Sequence, residues 1–308
     1  MNLKKPKFWD YKKPNIYAYL LLPIAFTIKI LKTINLKSKI KKPKIKTICV
    51  GNIYIGGTGK TSLSIKINEI LNQKKIKSCF IKKFYKNQDD EQKLLKSRGK
   101  LFLSKNRSEA INQAENENYE VAILDDGLQD NSLNYDMSFV CFNNINWIGN
   151  GLTIPAGPLR EHINSIKKYH HVFLNGNLEN LENLKKQLLI INPNIIIHVG
   201  KYKPLNLNEF NFNDKYLAFS GIGNHKTFVS MLKNFGLNVL IDIEFSDHYN
   251  YKTNDIDKIL KKANDLNCKI ITTEKDYLRL EDLNKNDIKF IESELKIMDE
   301  EKFIKSIV

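Results

Sequence analysis

The chain has 308 residues, enough for two domains of ordinary size, and 42% of them are hydrophobic, so sizeable cores can form. A net charge of +15 calls for an anionic partner, but thirteen lysines and a single acid, Asp10, fall within residues 1–46, a net +12. The positive charge is therefore an N-terminal feature, which argues against a nucleic-acid groove, and the four cysteines, with no C-x-x-C pair, argue against a zinc site or a disulfide framework and fit a reducing compartment.

Residues 1–46 open with Lys4-Lys5-Pro6-Lys7-Phe8-Trp9-Asp10, followed by an apolar run from Ile16 to Ile28 and then Lys29 and Lys32. Thirteen helical residues rise about 20 Å, against a bilayer core of about 30 Å, and Pro23 interrupts the run. No small-residue cleavage site follows, so the segment does not read as a secretory signal. The pattern predicts a helix lying on an anionic membrane surface, with flanking lysines on headgroups and Trp9, Tyr17 and Tyr19 near the interface.

A β-branched run, Ile45 to Val50, reads as a buried strand, and Leu63, Ile65, Ile67 and Ile70 mark a helix after it. Between them lies Tyr54-Ile55-Gly56-Gly57-Thr58-Gly59-Lys60-Thr61. Strand, glycine loop and helix make the context of a phosphate-binding loop for ATP. Glycines let backbone N–H groups curl around phosphate oxygens, and the helix N-terminus adds partial positive charge. Lys60 then reaches the β- and γ-phosphates, and the Thr61 hydroxyl is a ligand for Mg2+. The usual pattern starts with Gly where this chain has Tyr54, and Ile55 replaces the second lysine of the membrane-sensing ATPase subclass.

Ser78 to Ile81 predicts a second strand, Leu94-Leu95 a short helix, Leu101 to Leu103 a strand and Arg107 to Ala114 a helix. Val121-Ala122-Ile123-Leu124-Asp125-Asp126 is an apolar strand ending in two carboxylates, the second nucleotide motif, where Asp125 and Asp126 would handle Mg2+ or its waters. Ser138 to Phe142 is a further strand. Residues 147–161, rich in Gly and Pro, form a long loop of the kind that carries function. Val172 to Leu174 and Ile195 to Val199 complete the strands of the first half.

The polar stretch around 201–213 predicts a boundary. The expected division is a basic, membrane-associating segment over 1–46, a P-loop kinase domain over 47–200, and a smaller Rossmann-like domain over 201–308. The alternation of strands and helices makes both domains α/β, each with a parallel sheet. The second half holds strands at Tyr216–Ser220, Val239–Phe245 and Lys269–Thr272, the turn Gly221-Ile222-Gly223-Asn224, and helices reaching Phe235 and spanning about 254–266.

Taken together, these motifs resemble the tetraacyldisaccharide 4'-kinases of lipid A biosynthesis. The resemblance rests on Gly51-Asn52 and the Gly56–Thr61 loop, Asp90-Glu91, Asp125-Asp126-Gly127-Leu128-Gln129, Pro155-Ala156-Gly157-Pro158-Leu159-Arg160-Glu161, Gly221-Ile222-Gly223-Asn224, Asp247-His248 and Thr273-Glu274-Lys275-Asp276. It implies transfer of the γ-phosphoryl of ATP to the 4'-hydroxyl of a lipid disaccharide, on the cytoplasmic face of the bacterial inner membrane. It also implies Asp90 as general base with His248 as its partner. Gln129, Asn150, Arg160, Glu161 and Asp247 are further polar candidates for the acceptor. No protein partner is indicated. The family usually has Ser-Arg-Gly-Tyr after its second strand, where this chain has Lys82-Lys83-Phe84-Tyr85. Asp89 and Gln92 replace a common Gly and Pro around the Asp-Glu pair, and Asp130 replaces a common His. These departures cluster where the acceptor sugar would sit. Two other readings compete: a different P-loop small-molecule kinase, and a membrane-associated NTPase regulator, for which Thr273–Asp276 partly matches a guanine-reading Asn-Lys-x-Asp motif.

Overall fold

The computed structural model describes residues 5–34, 42–84, 89–280, 283 and 286–308. Tyr85 and much of the lysine-rich connector before the first strand lie outside them.

In chain order the first elements are α1 (Ile16–Ile34), β1 (Lys46–Gly51), α2 (Lys60–Gln73), β2 (Ser78–Lys83), α3 (Asp89–Arg98), β3 (Leu101–Ser104), α4 (Arg107–Asn116), β4 (Val121–Asp125) and β5 (Met137–Asn143). Then come β6 (His171–Asn175), α5 (Leu181–Ile191), β7 (Ile196–Pro204), β8 (Lys215–Ser220), α6 (His225–Asn234) and β9 (Asn238–Glu244). The chain finishes with α7 (Thr253–Asp265), β10 (Lys269–Thr273), α8 (Glu274–Leu278), β11 (Ile288–Ile291), β12 (Ser293–Ile297) and α9 (Glu300–Ile307).

Two sheets form. The larger runs β12-β7-β6-β5-β1-β4-β2-β3, parallel except for the antiparallel pair β12–β7. The smaller runs β11-β10-β8-β9 and is parallel throughout. Strand β1 is buried from Thr47 to Gly51, and apolar from Ile48 onward, because both faces of its sheet are covered. On one face Cys49, Ile81, Leu124 and Val140 pack against Ala110, Ile111 and Ala114 of α4. On the other, Ile48, Val50, Ile123 and Phe139 meet Leu63, Ile67 and Ile70 of α2 and Phe303 and Ile307 of α9. The smaller sheet is closed in the same way by Phe228 and Leu232 of α6 and by Ile256 and Ile259 of α7.

Strand β1 lies between β4 and β5, so the chain crosses to both sides of it. In open parallel sheets such a switch point leaves a crevice at the C-terminal strand ends. The phosphate loop, Lys82, Asp125, Asn143 and Asn175 all lie at that edge.

The division expected at residue 200 does not match the sheets. β7 continues to Pro204, and β12 and α9 return to the larger sheet. The alternation in Ser293-Glu294-Leu295-Lys296-Ile297 places Leu295 and Ile297 inward, which pulls the C-terminus back. Trp9 also departs from expectation. It is buried, and its indole Nε1 donates to the Pro155 carbonyl at 3.0 Å, so it is a packing anchor and not an interfacial side chain.

Candidate active site

The loop after β1 turns where it must. Gly56 and Gly59 adopt φ of 119° and 79°, which a β-carbon disfavours. Gly59 is the residue before α2 and offers no side-chain cap, so the first N–H groups of α2 point toward an anion site. The Asn52 amide donates to the Gly56 carbonyl at 3.1 Å and to Thr58 Oγ1 at 2.9 Å, bracing the loop from within.

Tyr54 and Ile55, expected to touch nucleotide, also anchor this loop. Tyr54 is buried and its hydroxyl donates to Asp10 Oδ1 at 2.8 Å. The Ile55 N–H donates to the Pro158 carbonyl at 2.8 Å, and the Arg160 N–H donates to the Ile53 carbonyl at 2.6 Å. The long 147–161 loop is thereby stitched alongside the phosphate loop. Asn150 belongs to the same bracing. It is buried, its amide donates to the Ala156 carbonyl at 3.0 Å, and its Oδ1 accepts from the Leu152 N–H at 3.1 Å.

The other predicted residues converge. Asp125 is fully buried at the end of β4, with Thr61 Oγ1 3.5 Å and Ser64 Oγ 3.2 Å from its oxygens. Asp126 has a positive φ of 58° that swings its carboxylate away from Asp125, to Arg160 Nη1 at 2.7 Å. Arg160 also donates to Gln129 Oε1 at 3.1 Å, and Gln129 Nε2 donates to Glu161 at 2.9 Å. Gln129, Arg160, Glu161 and Asp126 therefore form one wall.

Opposite this wall the smaller sheet contributes the rest. His248 Nδ1 lies 3.2 Å from Asp90 Oδ1, and its Nε2 faces Glu91 and Asp247, each at 4.0 Å. Residues far apart in sequence, on α3 and after β9, thus meet as the resemblance implied. The Gly221–Asn224 turn presses on the phosphate loop. Gly223 packs against Gly57 so closely that a β-carbon would clash, and the Asn224 amide donates to the Gly57 carbonyl.

Four cations were not read from the sequence as site residues. Lys82 Nζ bridges Glu91 at 2.7 Å and Asp125 at 2.6 Å. Arg279 Nη2 donates to Asp90 Oδ2 at 2.6 Å, while its Nη1 donates to Asp276 Oδ1 at 3.0 Å and to the Gly221 carbonyl at 2.8 Å. Lys275 lies 3.6 Å from Glu91. Arg107 reaches the Asp126 carbonyl at 2.6 Å. Asp276, the last residue of the guanine-motif candidate, is fully buried and accepts from the Gly221 N–H, Tyr251 and Arg279. It caps a turn and does not face a base.

The charges decide the ionisation states. Burial would raise the Asp90 carboxyl, but the His248 hydrogen bond and the charges of Arg279 and Lys275 outweigh it and hold Asp90 well below the usual carboxylate range. For Glu91 burial is likewise overridden, by Lys275, Lys82 and Lys60. For Asp126 it is overridden by Lys60 and Arg160. Burial disfavours protonated His248, yet its bond to Asp90 and the charges of Asp247, Asp90 and Glu91 raise its pKa above the ordinary value.

A phosphate cradle, a metal-type carboxylate and a His–Asp pair, assembled from two sheets, suit phosphoryl transfer to a hydroxyl. Comparison with known proteins points the same way. A family model described as tetraacyldisaccharide-1-P 4'-kinase (LpxK) matches residues 17–308. The chain is 58% identical over 308 residues to a tetraacyldisaccharide 4'-kinase of Pelagibacter ubique (strain HTCC1062), covering 100% of this chain and 98% of that one. It is 34% identical over 318 residues to the enzyme of that name from Rickettsia canadensis (strain McKiel), covering 96% and 94%. Its fold is similar to a crystal structure described as the "apo" form of LpxK from Aquifex aeolicus in complex with ATP, with a TM-score of 0.66 at 23% identity, covering 95% of this chain and 98% of that one. With nearly its whole length matched, and the family's separated motifs brought to one crevice, the chain belongs to the tetraacyldisaccharide-1-P 4'-kinase family.

Proposed function

We propose that the chain transfers the γ-phosphoryl group of ATP to the 4'-hydroxyl of tetraacyldisaccharide 1-phosphate, giving the bisphosphorylated lipid A precursor. Within the family, the observation that carries this reading is the meeting of Asp90 and His248 beside the phosphate loop. Gly56 to Thr61 hold the nucleotide phosphates, and Lys60 neutralises charge on the transferred group. Thr61 and Asp125 offer the hard oxygen donors that Mg2+ prefers. Among the described residues no cluster of three His, Cys, Asp or Glu side chains is placed to hold a metal alone. When bound, Mg2+ supplies charge neutralisation at the β- and γ-phosphates. The Asp90–His248 pair takes the acceptor's proton. Arg160, Gln129, Glu161 and Asp247 are assigned to acceptor and phosphate contacts, and the site draws on two structural units, one around each sheet. Lipid-dependent release of ADP by purified protein tests the reading. ATP consumption without lipid dependence would favour a different small-molecule kinase, and preference for GTP would favour a regulator.

The pH dependence follows from the site. Replacing Arg279 by Met removes a charge that holds Asp90 ionised while leaving burial in place, so the Asp90 pKa rises. The acidic limb of kcat/KM against pH should move to higher pH. An unmoved limb would remove Asp90 from the essential ionisations.

The N-terminal helix is assigned to the membrane surface, placing the enzyme as a peripheral protein on the cytoplasmic face of the inner membrane. Among the described residues no helix is long and apolar enough to cross a membrane. Yet α1 leaves Leu20 69% and Phe26 62% exposed, along with Ile16, Ile24 and Leu31, a larger apolar surface than a monomer ordinarily shows to water. Trp9 and Asp10 pin the base of this segment to the 147–161 loop and to Tyr54, beside the site. Replacing Leu20, Ile24 and Phe26 together by Gln keeps those anchors. It should weaken co-sedimentation with anionic liposomes and raise the apparent KM for lipid, leaving that for ATP unchanged. High salt should weaken only the lysine contribution. Undiminished sedimentation would reassign the helix to protein packing.

A further inference from the structure

Lys82 follows the apolar Cys79, Phe80 and Ile81 as the penultimate residue of β2, and only 1% of it is exposed. Its ammonium sits between two acids that both belong to the site: Asp125 at 2.6 Å and Glu91 at 2.7 Å. Held at hydrogen-bond distance by both carboxylates, it forms with them one buried, charge-compensated group. The Asp125 oxygen it holds, Oδ2, is the same one that lies 3.5 Å from the Thr61 hydroxyl. The side chain is therefore fixed at the position where the proposed metal carboxylate would meet a cation.

A carboxylate pair of this kind, two buried acids facing one point, would by itself attract a divalent ion. A tethered ammonium changes that balance. Any ion approaching Asp125 must displace a charge-assisted hydrogen bond that is always present at full local concentration. Free metal offers only exchange of one cation for another. Metal carried on nucleotide phosphates brings additional ligands and a new anionic partner for the displaced ammonium. We propose that Lys82 is a resident counter-cation that excludes free divalent ions from Asp125 and Glu91, so that metal enters this site only together with nucleotide. The proposal rests on Asp125 being the metal carboxylate of the kinase reading.

The test is Mn2+ binding to nucleotide-free protein, followed by the electron paramagnetic resonance signal of unbound Mn2+. Wild-type protein should leave Mn2+ free, and Lys82→Met and Lys82→Ser should each bind it at least tenfold more tightly. Lys82→Arg should behave as wild type. Adding Asp125→Asn to Lys82→Met should remove the gain. Mg2+ should also raise the melting temperature of Lys82→Met more than that of wild type, because the ion replaces the missing charge. Should Lys82→Met not fold, the Lys82→Met, Glu91→Gln pair removes one charge of each sign and should still bind Mn2+ more tightly than wild type. Equal Mn2+ affinity in folded Lys82 variants and wild type would overturn the proposal. If wild type with ATP still bound Mn2+ in a manner lost on Asp125→Asn, the kinase reading of the site would stand without it.

Discussion

Lys60→Ala should leave a folded protein that transfers no measurable phosphate. Lys60 is the first residue of α2 and is half-buried, and Ala is a better helix former, so the fold has little to lose. Catalysis loses more. A dissociative phosphoryl transfer spreads negative charge over the oxygens of the moving group, and the fixed charges that face it must already be in place. Removal of one such preorganised group costs roughly 10²- to 10³-fold, and a full charge at the transferred group lies at or beyond the upper end. Arg160 is a nearby cation, but it is already held by Asp126, so it does not substitute. The measurement is initial rate at saturating ATP, with circular dichroism as the control. Full activity would rule out this loop as the nucleotide site.

The second large effect is expected at the Asp90–His248 pair. Loss of a general base costs about 10²- to 10⁴-fold. Asp90 here is bound on one oxygen by His248 and on the other by Arg279, so it is ionised but weakly basic. His248, with its raised pKa, is the more basic member, and the two titrate as a unit. Asp90→Asn, which keeps a polar group against Arg279, and His248→Ala should each lower kcat within that range. The double variant should fall little below the worse single one, because either change already disables the pair. Losses that multiply would show that the two residues act independently.

Much of the nucleotide side was legible in the sequence because its signals are local. A glycine loop between a β-branched run and an amphipathic helix is readable within some thirty residues, and so is an apolar strand ending in Asp125. The loop braces were hidden for the opposite reason. Tyr54 and Ile55 occupy motif positions and Asn150 sits in the long loop, but their hydrogen bonds go to Asp10, Pro158 and Ala156, and only the folded chain brings those partners close. Lys82 left a trace. Strands β2 and β4 pair in register at Ile81 and Leu124, so the next residues, Lys82 and Asp125, come side by side. A lysine near the end of one buried strand and an aspartate ending another is a pairing signal once the strands are known to be neighbours. Arg279 had no such trace, since it reaches Asp90 from beyond α8 of the other sheet. The return of β12 and α9 was also missed, because short alternating strands carry weak signals and a boundary drawn on composition assumes a chain that does not turn back.

The central claim is that this crevice phosphorylates a lipid sugar. It is tested most directly by incubating purified protein with ATP, Mg2+ and tetraacyldisaccharide 1-phosphate and fragmenting the lipid product in a mass spectrometer. The expected result is one added phosphate on the 4'-position with wild type and none with Lys60→Ala. Unmodified lipid with folded, ATP-binding wild-type protein, or phosphate added at another hydroxyl, would contradict the account.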